Sequence, residues 1–378
     1  MRQCRYLIVV FLTILGLVVP AAYAGPLEDA QAAYEARDYE TARTLWLPLA
    51  ERGIAEAQYS IGVLYDFGHG IGTDDKLAVE WYRKAADKGN KLALNNLGAM
   101  YADGEGVEKD TGRAISLYEQ AARRGNPRSM ENIAYLYYHG AGVDKNLQLA
   151  VTWFRKAADN KMSGSQFELG YMHEYGLGVA EDQAAAANWY RLAAGQGEVI
   201  AQYNLGLMYL QGRGVEKDYK QAAELFRSAA EAKDADAQVQ IGMIYENGTG
   251  VAQDWQLARE WYDKAAKSGN AYGQYNLGVI YYNGSGVPRD HELAGIWLLK
   301  AAEQGHSTSQ QLVAEMYLNG DGFARSPARA IKWYRTLIKQ GNVEAYGGLY
   351  IAFVTVATDA ISNTLESWFG YELQHRAL

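Results

Sequence analysis

The chain has 378 residues, 49% of them hydrophobic and 21% charged, with 36 Lys+Arg against 44 Asp+Glu and a formal net charge of -8. That acidity, without a basic run, argues against a nucleic-acid partner, because neutralising phosphates needs clustered Lys and Arg; Arg123, Arg124 and Arg128 come nearest and suit a solvated turn between helices. The single cysteine, Cys4, excludes a disulfide framework and a cysteine-based metal centre.

The first residues read as an export signal: Arg2 and Arg5, an apolar run from Leu7 to Val19, Pro20, then the small-residue site Ala22-Tyr23-Ala24 before Gly25. Cleavage after Ala24 is expected. An uncleaved anchor is the competing reading, but the run is short for a hydrocarbon core about 30 Å thick. A lipid anchor would need a cysteine after the run, and Cys4 precedes it. Loss of residues 1–24 removes Cys4 and two arginines, leaving 34 Lys+Arg against 44 Asp+Glu and a charge of -10. No later stretch is expected to cross a membrane.

From Gly68 a pair of glycines separated by one residue recurs every 36 residues: Gly68/Gly70, Gly104/Gly106, Gly140/Gly142, Gly176/Gly178, Gly212/Gly214, Gly248/Gly250, Gly284/Gly286 and Gly320/Gly322. Such a register without insertion indicates stacked repeats in one elongated body rather than one globular core. Four residues after each pair stands a side chain able to cap a helix: Asp74, Asp110, Asn146, Asp182, Asp218, Asp254, Asp290 and Ser326. Pro327 after Ser326 suits a first helical position. The helix that follows carries alanines such as Ala78 and Ala85 around Trp81, Trp153, Trp189, Trp261, Trp297 and Trp333, or Leu117 and Leu225, all predicted on one packed face. It stops at glycine in six repeats, whereas Lys161 and Lys233 stand at that place in two, whose turns are expected to be more mobile or differently shaped.

The preceding helix of each repeat carries a glycine three residues before a tyrosine, as in Gly62 with Tyr65 and Gly206 with Tyr209. A glycine inside a helix costs about 1 kcal/mol relative to alanine, so its recurrence predicts a close helix contact. Ala134 and Ala314 replace it in the third and eighth repeats, and His173 takes the tyrosine position in the fourth.

The run Ala201-Gln-Tyr-Asn-Leu-Gly-Leu-Met-Tyr209-Leu-Gln-Gly212-Arg-Gly214-Val-Glu-Lys-Asp218, followed by Ala222 and Ala229-Ala230, resembles the Sel-one-like repeat (SLR), a relative of the tetratricopeptide repeat. The resemblance covers 55–342 in eight copies. It implies an all-α, right-handed superhelical α-solenoid of antiparallel helix pairs, with the first helices on the concave side. Residues 25–54 resemble a tetratricopeptide-like opening pair with Tyr34, Tyr39, Ala42 and Trp46, whose Pro48 is expected to kink its helix. Residues 343–378 begin a ninth unit without the glycine pair and are expected to cap the array, with Trp368 and Phe369 in the tail. The resemblance also implies an adaptor role, common among family members, of which many bacterial ones serve the envelope, exported assemblies or contact with host cells.

By analogy with tetratricopeptide geometry, the inward places of the third and fourth repeats hold Tyr135, Tyr138, His139, Phe167, Tyr171, Glu174 and Tyr175, a combination suited to a protein or peptide partner. Packing between helices is the alternative for these rings. Alanine at Tyr135, Tyr138, Tyr171 and Tyr175 is expected to abolish binding without harming the fold. Tyr203, Glu246, Asn247, Tyr275, Tyr282 and Asn283 form a sparser second stripe. Envelope polysaccharide or peptidoglycan is the alternative ligand class. No cofactor or metal is expected, since His69, His139, His173, His291, His306 and His375 share no ligand spacing. His173-Glu174 superficially suggests acid–base chemistry, but His173 occupies a framework ring position. Gly68-His-Gly70-Ile-Gly72 lacks the strand that a phosphate loop requires. The expectation is an exported, non-enzymatic scaffold in the periplasm or outside the cell.

Overall fold

The structure is a computed structural model that describes residues 21–375. The expected signal lies largely outside the described residues, and Trp368 and Phe369 lie outside those whose side chains are described. Among the described residues there are helices and no strands, an all-α repeat solenoid. The contacts divide into two compact units, one ending at Ala193 and the other beginning at Ala194. The glycine register continues through the division.

Unit 1 opens with α1 (Ala21–Glu35) and α2 (Tyr39–Glu51), a helix that contains Pro48 near its end. Four repeats follow as α3 (Ala55–Phe67) with α4 (Asp75–Asp87), α5 (Lys91–Asp103) with α6 (Thr111–Arg123), α7 (Pro127–His139) with α8 (Leu147–Asp159), and α9 (Ser163–Tyr175) with α10 (Gln183–Gly195). Unit 2 carries α11 (Val199–Gln211) with α12 (Tyr219–Glu231), α13 (Ala235–Asn247) with α14 (Trp255–Lys267), α15 (Ala271–Asn283) with α16 (His291–Glu303), and α17 (Ser307–Asn319) with α18 (Pro327–Lys339). It ends with α19 (Ala345–His375).

The eight capping residues behave as their spacing predicts. Asp74 accepts the Leu77 N–H at 3.0 Å, Asp110 that of Arg113 at 2.8 Å and Asp290 that of Leu293 at 2.9 Å. Each such cap stabilises its helix by about 0.5–2 kcal/mol.

The most deeply packed side chain of the second helix, however, is the residue after the tryptophan position, a position held by leucine at Leu117 and Leu225. Tyr82, Phe154, Tyr190, Phe226 and Tyr262 are fully buried between alanines, whereas Trp81, Trp153, Trp189 and Trp297 are only half-buried and Trp261 alone of these tryptophans reaches the core, at 9% exposure. In α4 the inward row is Ala78, Tyr82 and Ala85, so Trp81 falls on the shoulder, with the Lys84 ammonium 4.0 Å from its ring. The ring at Tyr82 explains the glycine of the first helix. A Cβ on Gly62 would lie 2.6 Å from the Tyr82 ring, one on Gly170 2.5 Å from Tyr190, and one on Gly206 2.9 Å from Phe226.

The glycine pair has two separate duties. Its first member ends the first helix in a left-handed conformation, as at Gly176 with φ 65°. Its second abuts the start of the preceding repeat's second helix: Gly178 meets the Leu147 backbone, and Gly250 meets that of Tyr219.

The turns at Lys161 and Lys233 correct the expectation of a different shape. Their φ values of 63° and 70° match the 74° of Gly125. The same closing hydrogen bond forms, Met162 N–H to Ala157 at 3.2 Å and Asn126 N–H to Ala121 at 3.1 Å. A side chain in this conformation costs about 1–2 kcal/mol, partly offset by the more restricted unfolded chain. Lys161→Gly and Lys233→Gly are each expected to gain about 0.5–1 kcal/mol in urea unfolding; a loss of stability in either would refute this account.

α19 begins as a ninth first helix and does not stop. Val356 and Thr358 stand one repeat after Gly320 and Gly322, so no left-handed residue ends it. Ala345 and Ala352 are buried against the preceding repeat, and Arg325 pairs with Asp359 at 2.8 Å. Tyr350, where other repeats carry glycine or alanine, is 70% exposed. The expectation that no later segment could cross a bilayer fails on length and composition, since Ala345–Ser362 has a mean hydropathy of 1.2. Its first half packs against α18 as an array helix does.

Candidate functional site

Polar side chains link the successive first helices of unit 1. Tyr82 OH donates to Asp66 of α3 at 2.9 Å and accepts from Asn96 Nδ2 of α5 at 3.1 Å. Asn95 Nδ2 donates to Asn96 Oδ1 at 3.2 Å, and Asn95 Oδ1 accepts from Ser129 Oγ and Asn132 Nδ2 of α7 at 3.0 and 3.1 Å. From α9, Ser165 Oγ donates to Glu131 of α7 at 3.0 Å, while Tyr135 OH of α7 donates to Glu168 of α9 at 3.0 Å. These bonds tie successive first helices at fixed spacing and leave amides and carboxylates among the aromatic rings.

The third and fourth repeats place the predicted residues unequally. Tyr135 and Tyr138 both meet the buried Phe154 ring edge-on, at 5.0 and 6.3 Å between centroids. His139, which is exposed, stacks on Tyr135 and meets Tyr138 edge-on at 5.0 Å. Tyr171 and Tyr175 of α9 pair at 4.6 Å, and Tyr175 is 57% exposed. Phe167 leans on Tyr190 at 5.8 Å. Glu174 is only 7% exposed and accepts from Tyr190 OH at 2.7 Å, so it faces the helix pair rather than the ring cluster. His173 is buried with its Nε2 3.5 Å from Arg155, matching Arg83 on the Tyr101 hydroxyl and Arg227 on that of Tyr245 in other repeats. Burial, and then the charge of Arg155, hold its pKa below the usual histidine value.

Glu168 is the site residue that the aromatic pattern does not reveal. Burial and the neighbouring Glu131 raise its carboxyl pKa, opposed by the Tyr135 hydrogen bond. Burial raises the Tyr138 phenol as well, helped by the charges of Glu168 and Tyr171. A sequence signal did exist: Asn96, Asn132, Glu168, Asn204, Gln240 and Asn276 recur at the 36-residue step, polar residues beside apolar core positions. In the sparser stripe of unit 2, Tyr282 stacks on His291 at 4.8 Å, Tyr275 meets His306 at 4.7 Å, and Glu246 accepts from Tyr262 OH. Those groups are engaged within their own repeats or the next. Among the described residues no group of His, Cys, Asp or Glu is arranged to hold a metal ion.

A family profile described as Sel1 repeat matches eight consecutive segments, 55–90, 91–126, 127–162, 163–198, 199–234, 235–270, 271–306 and 307–342. Among solved structures, c5321, a protective antigen present in uropathogenic Escherichia coli strains and displaying an SLR fold, is similar at 32% identity, over 86% of this chain and 78% of that chain, with a TM-score of 0.71. A Sel1 repeat protein from Oxalobacter formigenes is similar at 29% identity, over 86% of this chain and 92% of that chain, with a TM-score of 0.64. No curated protein gives a significant match.

Proposed function

The chain belongs to the Sel1 repeat family, and from that premise we propose that it is an exported, non-enzymatic scaffold holding a protein partner on the first-helix face of unit 1. A repeat solenoid of this family is suited to protein interaction, because its stacked first helices offer a long, preformed surface. The observation that carries the choice of face is the cluster of Tyr135, Tyr138, His139, Tyr171 and Tyr175, partly exposed and set beside polar side chains. Aromatic anchors with a polar tip supply large contact area at small entropic cost. The packing of His173 and Glu174 into the helix pair supports a binding role over acid–base catalysis.

Export rests on Arg2, Arg5, the Leu7–Val19 run and the Ala22-Tyr23-Ala24 site. The similarity to c5321, a protective antigen, supports a role at the envelope or in contact with host cells.

Crosslinked capture by residues 25–378 from envelope extract and host-cell lysate tests the reading. The informative variant is His139→Ala/Tyr171→Ala/Tyr175→Ala, since Tyr135 and Tyr138 also pack on Phe154 and their loss would weaken the core. The triple variant is expected to melt close to the parent while losing its captured protein. Capture unchanged in that variant would remove the proposed face; capture of glycan alone would replace the partner class.

A further inference from the structure

We propose that Glu168 and the tyrosines around it form a receptor for one cationic side chain, the ammonium of a lysine or the guanidinium of an arginine, on the partner held by this face. The inference rests on the scaffold reading and specifies the chemistry of its central contact.

Three observations converge on it. At the recurring polar position the chain carries amides at Asn96, Asn132, Asn204, Gln240 and Asn276, and a carboxylate at Glu168. An amide there can satisfy neighbours in both directions, whereas an ionised carboxylate only accepts and brings a charge. The two acids of this region are also provided for differently. Glu131, 4% exposed, has Arg128 at 2.6 Å and the Ser165 hydroxyl at 3.0 Å. Glu168 has the neutral Tyr135 hydroxyl at 3.0 Å, and among the described residues no Lys or Arg pairs with it. A partly buried carboxylate without a counter-charge is costly, and its raised pKa expresses that cost. A cation arriving with the partner would offset it.

The surroundings of Glu168 are those that a cation prefers. Tyr138 lies close enough for the charge of Glu168 to act on its phenol, and Tyr171 pairs with the exposed Tyr175. Ring faces attract ammonium and guanidinium groups within about 6 Å. The chain's own Lys145 ammonium already sits 6.0 Å over the Tyr138 ring, at the edge of that range. The other lysines of unit 1 that lie over rings, Lys84 and Lys156, are on the tryptophans of second helices.

The test uses three capped tripeptides, acetyl-Gly-Lys-Gly-amide, its arginine counterpart and its norleucine counterpart, titrated into the exported chain at fixed ionic strength. Norleucine keeps the aliphatic stem and removes the charge. The lysine and arginine peptides are expected to bind about tenfold or more tighter than the norleucine peptide, and Glu168→Gln to erase that preference. Equal affinity for lysine and norleucine, a preference that survives Glu168→Gln, or no lysine binding would each overturn the proposal.

Thermal melting separates this from a structural role. Glu168 has a raised folded-state pKa, so its stabilising contribution is present below the unfolded pKa and is lost as pH rises through the folded one. Glu168→Gln should therefore melt no lower than the parent at neutral pH; destabilisation there would assign Glu168 to the framework instead. Protein capture lost in the triple variant, without lysine preference in the parent, would leave the scaffold face standing and sink the cation receptor. Lysine preference without any captured protein would do the reverse.

Discussion

Gly206→Leu is expected to lower the unfolding free energy by about 3 kcal/mol, the upper part of the range for overpacking a filled core. The leucine would enter space held by Phe226, whose ring lies 2.9 Å from the place of a Cβ on Gly206. Phe226 is fully buried in one core cluster with Ala222, Ala229 and Ala230, so its ring cannot move aside into solvent without exposing it. The sign should reverse in a Phe226→Ala background. Removing the ring costs about 3–5 kcal/mol by itself, and the leucine then fills part of the cavity, so the double variant should be more stable than Phe226→Ala alone. Urea unfolding of the four proteins gives the coupling directly. Additive losses would show that Gly206 is present for another reason.

The second large effect is expected at Gly178. It has φ 71°, and a Cβ would lie 2.5 Å from the Leu147 backbone at the start of α8. Gly178→Ala adds the left-handed penalty, about 1–2 kcal/mol, to a clash that no side-chain rotation relieves, for a total near 3 kcal/mol. Gly176→Ala is its internal control. With φ 65° it carries the same backbone penalty, but its nearest neighbour is 3.5 Å away, so only about 1–2 kcal/mol should be lost. Equal losses at the two positions would mean that backbone conformation alone explains the pair. A larger loss at Gly178 ties the glycine to the joint between repeats.

The Gly178 effect bears on function through spacing. Tyr135 reaches Glu168 from one repeat to the next, and Ser165 reaches Glu131 in the opposite direction. Each bond requires α7 and α9 to stand at a separation set by the glycine contacts beneath them. A substitution such as Gly178→Ala could thus weaken partner binding without touching the ring cluster, and its melting curve would identify the cause.

The sequence by itself determined the repeat length, the helix starts and the close helix contacts. All three follow from local rules: an oxygen-bearing side chain satisfies free N–H groups, glycine tolerates a left-handed turn, and glycine inside a helix persists only where space is needed. Analogy with tetratricopeptide geometry also pointed to the aromatic residues of the third and fourth repeats. The tertiary structure decided which ring fills the core, since Trp81 and Tyr82 are adjacent and only the packing of α3 and α4 selects Tyr82. It decided that Lys161 and Lys233 adopt the glycine turn, where closing hydrogen bonds outweigh local preference. It turned Glu174 toward Tyr190 and left Glu168 beside the tyrosines with no Lys or Arg paired to it among the described residues, though both carboxylates lie on α9. The direction of a side chain, and the company of a charge, depend on neighbours 16 or 33 residues away in the chain, which periodicity brings near but does not identify.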